Sequence, residues 1–377
     1  EDLFSLEAFA PALSRFCEPP ALSELDALIP RIRQAYALIG FSDAQALSRW
    51  ALRPELPVPY RETLLAIMAL GYAHHAEAFE AQSHFTALAE LLTDHHDKLG
   101  ADDWLKSFAT LAVFAFDACA PEILMPLSKL AVARLPWASL AARGAYWGSQ
   151  CQVLRLTGDF DAAINAGERA VACAEEGEIS AAGRNMNYLV HALLHRARKG
   201  GPDAEADRAL ARKLLHISRT QWRPSVGGRS HDGFCSLYEA ELARQEGQLP
   251  PSTWDDYRGE WSHGLDFCLL VRARNQNIAE PKRVEYLDFA LSRLAGWEKT
   301  ELGRLILGWY KLYRAHLAGE EIDPISTLLQ RSMDAFEAAG LPGWKRRLGP
   351  PLSSVARCCG PDRDEAMEHF LDAIPYW

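Results

Sequence analysis

No stretch of this 377-residue chain stays apolar for the roughly twenty residues that a membrane helix needs. Runs such as Phe108–Phe116 break off about half way. The eight cysteines form no CxxC pair, which excludes zinc ribbons and thioredoxin-like redox motifs. There is no GxGxxG, GxxxxGK[ST], GxSxG or HExxH. Rossmann redox chemistry, nucleotide hydrolysis, serine-hydrolase and zincin chemistry therefore have no support in the sequence. Excess positive charge is missing too. The net charge is −10, with 40 Lys and Arg against 50 Asp and Glu, which argues against a general nucleic-acid-coating role. Valine occurs only ten times, and no long stretch alternates apolar and polar residues, so strands are not expected.

What is present is helix. Hydrophobic residues make up 49% of the chain, enough for a core and too many for disorder. Ala and Leu dominate, and apolar residues recur at helical spacing, as in Leu210, Leu214, Leu215 and Ile217. Breakers fall regularly, at Pro57, Pro121, Gly158, Gly200-Gly201, Gly247, Pro250, Pro281, Gly319 and Pro324. The pattern predicts an all-α chain of about sixteen to eighteen helices with short loops. Candidate tight turns lie near Ala78, Cys119, Gly158, Gly201, Gly247 and Gly319. Successive gaps are about 41, 39, 43, 46 and then 72 residues, the last equal to two units of about 36. A unit of about 36–46 residues made of two antiparallel helices predicts an α-solenoid.

One unit carries a family likeness. The segment from Gly144 to Ala170 resembles a tetratricopeptide repeat. Trp147 falls at the aromatic position of the first helix, Gly158-Asp159-Phe160 at the Gly-x-aromatic turn, and Ala163 and Ala170 at the two small positions of the second helix. Cys151 stands where the family usually has Gly, and Gly167 where it usually has an aromatic. Leu237–Gln248 and Leu305–Glu320 look like degraded copies. The resemblance implies a right-handed solenoid whose first helices line a concave groove. Arrays of this unit length are similar to the sensor or scaffold parts of large bacterial regulators, which implies a regulatory or signalling setting.

The expected organisation is capping helices over 1–57, a repeat array over 58–341 and capping helices over 342–377. Pro30 is expected to break a helix of the first cap. Cysteines in apolar, Ala-rich segments read as reduced core thiols, which implies a cytoplasmic setting. A first residue of Glu rather than Met is expected of a fragment, a processed chain or a trimmed one.

Three histidine groups bear on chemistry. His74-His75 and His95-His96 sit at helix ends, where the macrodipole favours cations. On the third, Arg184, Tyr188, His191, His195 and Arg198 follow at spacings of 4, 3, 4 and 3, which places them on one helix stripe. Met186, Leu189, Val190 and Leu193 form its packing face. The stripe reads three ways: a solvated face, a groove for a ligand or partner, or a metal pair at His191 and His195. The corresponding groove positions on neighbouring units are Gln152 and Arg155, then Glu241 and Arg244, then Trp309, Tyr313 and His316. Trp309 and Tyr313 are expected mainly as core fillers. The loop Arg223–His231, with Gly227-Gly228, is expected to be a plain connection rather than a phosphate cradle, and Lys345-Arg346-Arg347 a solvated helix end. The residues thus favour a non-catalytic binding module that holds a protein or peptide segment, with no cofactor or metal. The alternatives are a sensor of a small anionic ligand and a divergent enzyme using His191 and His195.

Overall fold

The computed structural model describes residues 18–38, 47–74, 78–177, 182–222, 228–251 and 263–376. Among them there is no strand. The helices are α1 (Leu22–Leu38), α2 (Val58–His74), α3 (Ala78–Asp94), α4 (Ala101–Asp117), α5 (Met125–Arg134), α6 (Leu140–Thr157), α7 (Phe160–Glu176) and α8 (Ala182–Arg198). Then follow α9 (Ala204–Thr220), α10 (Gly228–Gln245), α11 (His263–Arg274), α12 (Glu280–Arg293), α13 (Glu301–Leu317), α14 (Asp323–Ala338), α15 (Gly343–Arg357) and α16 (Pro361–Ala373). The helices pack mostly on their neighbours in sequence, consistent with an all-α solenoid. None is long and apolar enough to cross a membrane.

The turns explain the pairing. Gly158, Gly247, Gly319 and Gly340 have φ of 83°, 64°, 65° and 81°, the left-handed region that a Cβ penalises. Behind each, the next amide reaches back five residues: Asp159 N to Leu154 O, Gln248 N to Ala243 O, Glu320 N to Ala315 O, and Leu341 N to Phe336 O. This double closure satisfies carbonyls that would otherwise be orphaned at the helix end. The expected turn at Cys119 is also left-handed, at φ 52°, without a glycine. Side-chain oxygens cap the starts of α7 and α13. Asp159 Oδ1 accepts from Ala162 N at 3.1 Å, and Thr300 Oγ1 from Gly303 N at 3.1 Å.

Pro30, expected to break a helix, lies inside α1, and Pro350-Pro351 lie inside α15. A proline removes its own N–H and crowds the preceding turn, which can bend a helix without ending it.

The chain divides into two compact units. The first is 1–117 with 122–146. Its core holds Leu25, Ile29, Ile32, Leu56, Leu64 and Ile67. Phe85 stacks on Phe114 at 4.4 Å, and buried Trp104 donates to Leu92 O at 3.0 Å. The second unit is 118–121 with 147–377. Its core includes Met186, Leu189, Val190 and Leu193 of α8, the packing face read from the sequence, and Trp309, Tyr310, Trp344 and Phe370. Gly167, at the family's aromatic position, lets α8 approach. A Cβ there would meet Leu189 Cα at 3.2 Å.

Candidate partner groove

In the second unit, four helices that end in an arginine and one that ends in a histidine, whose pKa burial lowers, meet at one place. The last turns of α6, α8, α10, α11 and α13 carry Arg155, Arg198, Arg244, Arg274 and His316. Each sits where the helix dipole already favours positive charge. Helix α16 runs across these ends, and successive turns of it meet successive helices. Asp364 Oδ1 lies 3.1 Å from His316 Nε2 of α13. Glu368 Oε2 accepts from Arg274 Nη2 of α11 at 2.8 Å, and Asp372 Oδ1 from the same nitrogen at 2.7 Å. Asp372 also lies 3.4 Å from Arg198 Nη1 of α8 and 4.0 Å from Arg244 Nη2 of α10. Beyond the helix, Pro375 O accepts from Arg155 Nη1 of α6 at 2.6 Å.

The three carboxylates stand four residues apart, so they form one stripe of α16. Tyr376, four residues further, stacks on Phe267 at 4.6 Å and lies 5.8 Å from Trp309. The other side of α16 buries Met367, Phe370 and Leu371, with Ile374 just past it. Arg347 of α15 donates to Ala373 O and, at 2.9 Å, to Leu156 O. That arginine is half-buried and bonded, not the solvated helix end expected of Lys345-Arg346-Arg347.

Beneath this contact lies Glu241, fully buried. Its carboxylate accepts from Arg198 Nε at 3.0 Å, from Arg244 Nε and Nη2 at 2.9 Å each, and from Gln245 Nε2 at 2.8 Å. Burial pushes its pKa up, but the guanidinium groups of Arg198 and Arg244 outweigh burial and hold it far below the usual carboxylate range. Asp372 follows the same pattern. Burial raises it, and Arg274 and Arg198 bring it below its ordinary value. Burial pulls Arg274 down, while Glu368 and Asp372 lift it well above the ordinary arginine value. At Arg155 burial wins and the proton is held less tightly.

The stripe read from the α8 sequence splits. Arg184 is exposed and Tyr188 is half-buried. His191 and His195 are buried with rings 4.8 Å apart. Tyr238 Oη lies 3.2 Å from His191 Nδ1, and Arg155 Nη1 lies 3.3 Å from His195 Nε2. Since arginine can only donate, that nitrogen accepts, which occupies the lone pair a metal at Nε2 would use. Gln152 accepts from Arg155 Nη2 at 2.8 Å and orients it. Trp309 and Tyr313 are buried, and Tyr313 Oη donates to Ala273 O at 3.2 Å. They fill the core, as expected.

Of the remaining candidates, the side chains of His74-His75 and residues 223–227 of the Gly-Gly loop lie outside the described residues. His96 opens the short 3-10 turn after α3, with Nδ1 3.0 Å from Thr93 O. His231 is buried against Ser218 and Asn187, with Cys235 Sγ 3.6 Å from its Nε2. Burial raises that thiol to about 11, which leaves it a packing group rather than a nucleophile. Among the described residues, no three His, Cys, Asp or Glu side chains converge as a metal set.

The chain matches no family model and no curated protein. Sequence reasoning reached Arg155, Arg198, Glu241, Arg244 and His316. It missed Arg274 and the acidic stripe of α16. A signal existed. Arg155, Arg244 and His316 each precede a turn glycine by three residues, and Asp364, Glu368 and Asp372 repeat every four.

Proposed function

We propose that this chain is a non-catalytic binding or scaffold module, similar to tetratricopeptide arrays, that holds a protein segment along α6, α8, α10, α11 and α13. A regulatory or signalling role suits such a module. One observation carries the reading: the ends of those helices each meet a carboxylate of α16 or the Pro375 carbonyl just past it. A segment bound across several repeats needs this arrangement, in which main-chain geometry sets the register and arginines select carboxylates.

The test is capture of a partner by the full chain beside a variant carrying Gln152→Ala and Tyr188→Ala. Gln152 accepts from Arg155 Nη2, Tyr188 lies half-buried further up α8, and neither belongs to the buried ion pairs. A partner held by the wild type, cross-linked to α8 or α10, and lost from the folded variant supports the reading. Cross-links confined to other helices contradict it.

A second reading has its own observation. Four arginines converge on this face, and Arg274 Nε and Nη1 are buried with no hydrogen-bond acceptor. Spare buried donors of this kind suit a small carboxylate or phosphate ligand. Raised thermal stability in citrate or inorganic phosphate, abolished by Arg274→Gln, would favour it over the segment.

A further inference from the structure

We infer that the segment this groove accepts from a partner is an acidic amphipathic helix with carboxylates at i, i+4 and i+8 and an aromatic at i+12, and that α16 is the chain's own copy of that ligand. The inference rests on the binding-module reading and names its partner's chemistry.

Three observations converge on it. The first is register. Asp364 faces His316 of α13, Glu368 bonds Arg274 of α11, and Asp372 bonds the same Arg274 while reaching towards Arg198 of α8 and Arg244 of α10; past the end of the helix, Tyr376 packs on Phe267 and Trp309. A helix advances about 6 Å over four residues, a step that brings each new turn to a new contact. The second is charge. Without α16, Arg198, Arg244 and Arg274 face one buried carboxylate, Glu241. The line is complementary to acid and is incomplete until an acidic segment lies on it. The third is access. The side chains of Glu368 and Asp372 remain a third exposed, and Asp364 more so, whereas their partner Arg274 is fully covered. The receptor half of each pair is thus built into the unit, and the ligand half lies at its surface.

Helix α16 is joined to α15 by only Cys358–Gly360, with Gly360 at φ 57°. A competitor must match its apolar side as well, at the positions of Met367, Phe370, Leu371 and Ile374, which are i+3, i+6, i+7 and i+10. Displacement then exchanges one acidic helix for another. Binding of the partner and release of α16 become a single event.

The experiment uses the full chain with Glu368→Gln and Asp372→Asn, beside wild type. The probe is a fluorescein-labelled synthetic peptide of residues 361–377, compared with the same peptide carrying Asp364→Asn, Glu368→Gln and Asp372→Asn. The native peptide is expected to bind the variant about tenfold or more tighter than it binds wild type, and the neutral peptide to bind about tenfold or more weaker than the native one. Equal binding of both peptides overturns the acidic code while leaving a groove that holds a segment. Binding of neither to a folded variant overturns the code and the binding-module reading together. If circular dichroism shows the variant unfolded, wild type with a protease site inserted after Cys358 replaces it. After cleavage, native mass spectrometry should show the noncovalent tail exchanging for the acidic peptide and not for the neutral one. Exchange for both alike, or for neither, overturns the inference.

Discussion

Glu241 is the residue on which the cation line depends. It is buried, and it accepts from both Arg198 and Arg244. Removing one partner of a buried ion pair leaves uncompensated charge, at a cost of about 3–5 kcal/mol. Glu241→Gln is therefore expected to lower the urea midpoint by that order, more than the same change at exposed Glu365. Asp266 behaves in the opposite sense. Burial raises its pKa to about 6, against the opposing pull of Arg293 at 3.0 Å. Its folded form thus binds a proton more tightly than the unfolded form, whose pKa lies near 3.8. Stability should fall as pH rises from about 4 to about 6, by on the order of 3 kcal/mol from this group. In Asp266→Asn that slope should vanish when Tm is followed across the window. The sequence made single residues legible where a helix stripe fixed their direction. The same spacing offers Arg155, Arg198 and Glu241 as groove positions, beside a solvated face or a metal pair for the α8 stripe. It could not place Arg274, because its helix ends at Asn275 without a turn glycine to set the frame.

At the scale of elements, the glycine turns were readable because a left-handed residue has few substitutes. The turn between α11 and α12 was not. Asn275 N bonds to Arg272 O, and Asn275 Oδ1 accepts from Asn277 N at 3.0 Å. A side-chain oxygen thus does the work of a glycine, and two units merged into one long gap. Helix contacts also turn on glycines that need no unusual backbone. A Cβ on Gly343 would lie 1.9 Å from Cys119 O, and one on Gly308 would lie 2.3 Å from Leu329 Cδ2. A backbone carbonyl moves less readily than the end of a leucine. Gly343→Ala should therefore cost more than Gly308→Ala, for which overpacking of about 1–3 kcal/mol is expected. Chemical denaturation of the two variants side by side checks the order. If Gly308→Ala were the more harmful, the close approach of α15 to the 118–121 turn would not constrain the fold.

For the molecule as a whole, the sequence announced a helical array and its unit length, but not that its last helix lies on its own inner helices. Periodicity reports each helix's faces. It does not report which distant helix a face meets, and Asp372 and Arg198 are far apart along the chain. The ion pairs that join them also set the acid response. Glu241 and Asp372 have folded pKa values below their ordinary ones. Their stabilisation is present above the unfolded values near 4 and is lost as pH falls through that range and below it. Acidification below about pH 4 should free α16 first, since Asp372 ties it to Arg274, Arg198 and Arg244. Tryptophan fluorescence should report that release before helicity falls, through Trp309 and Trp344 beside Tyr376.

The most direct measurement is amide hydrogen exchange on the full chain, wild type against Arg274→Gln. If the arginine line holds α16 as a ligand, protection should fall selectively over residues 361–373, with α8 and α10 unchanged. Exchange that rises equally across α8, α10 and α16, or that does not change over 361–373, would contradict it.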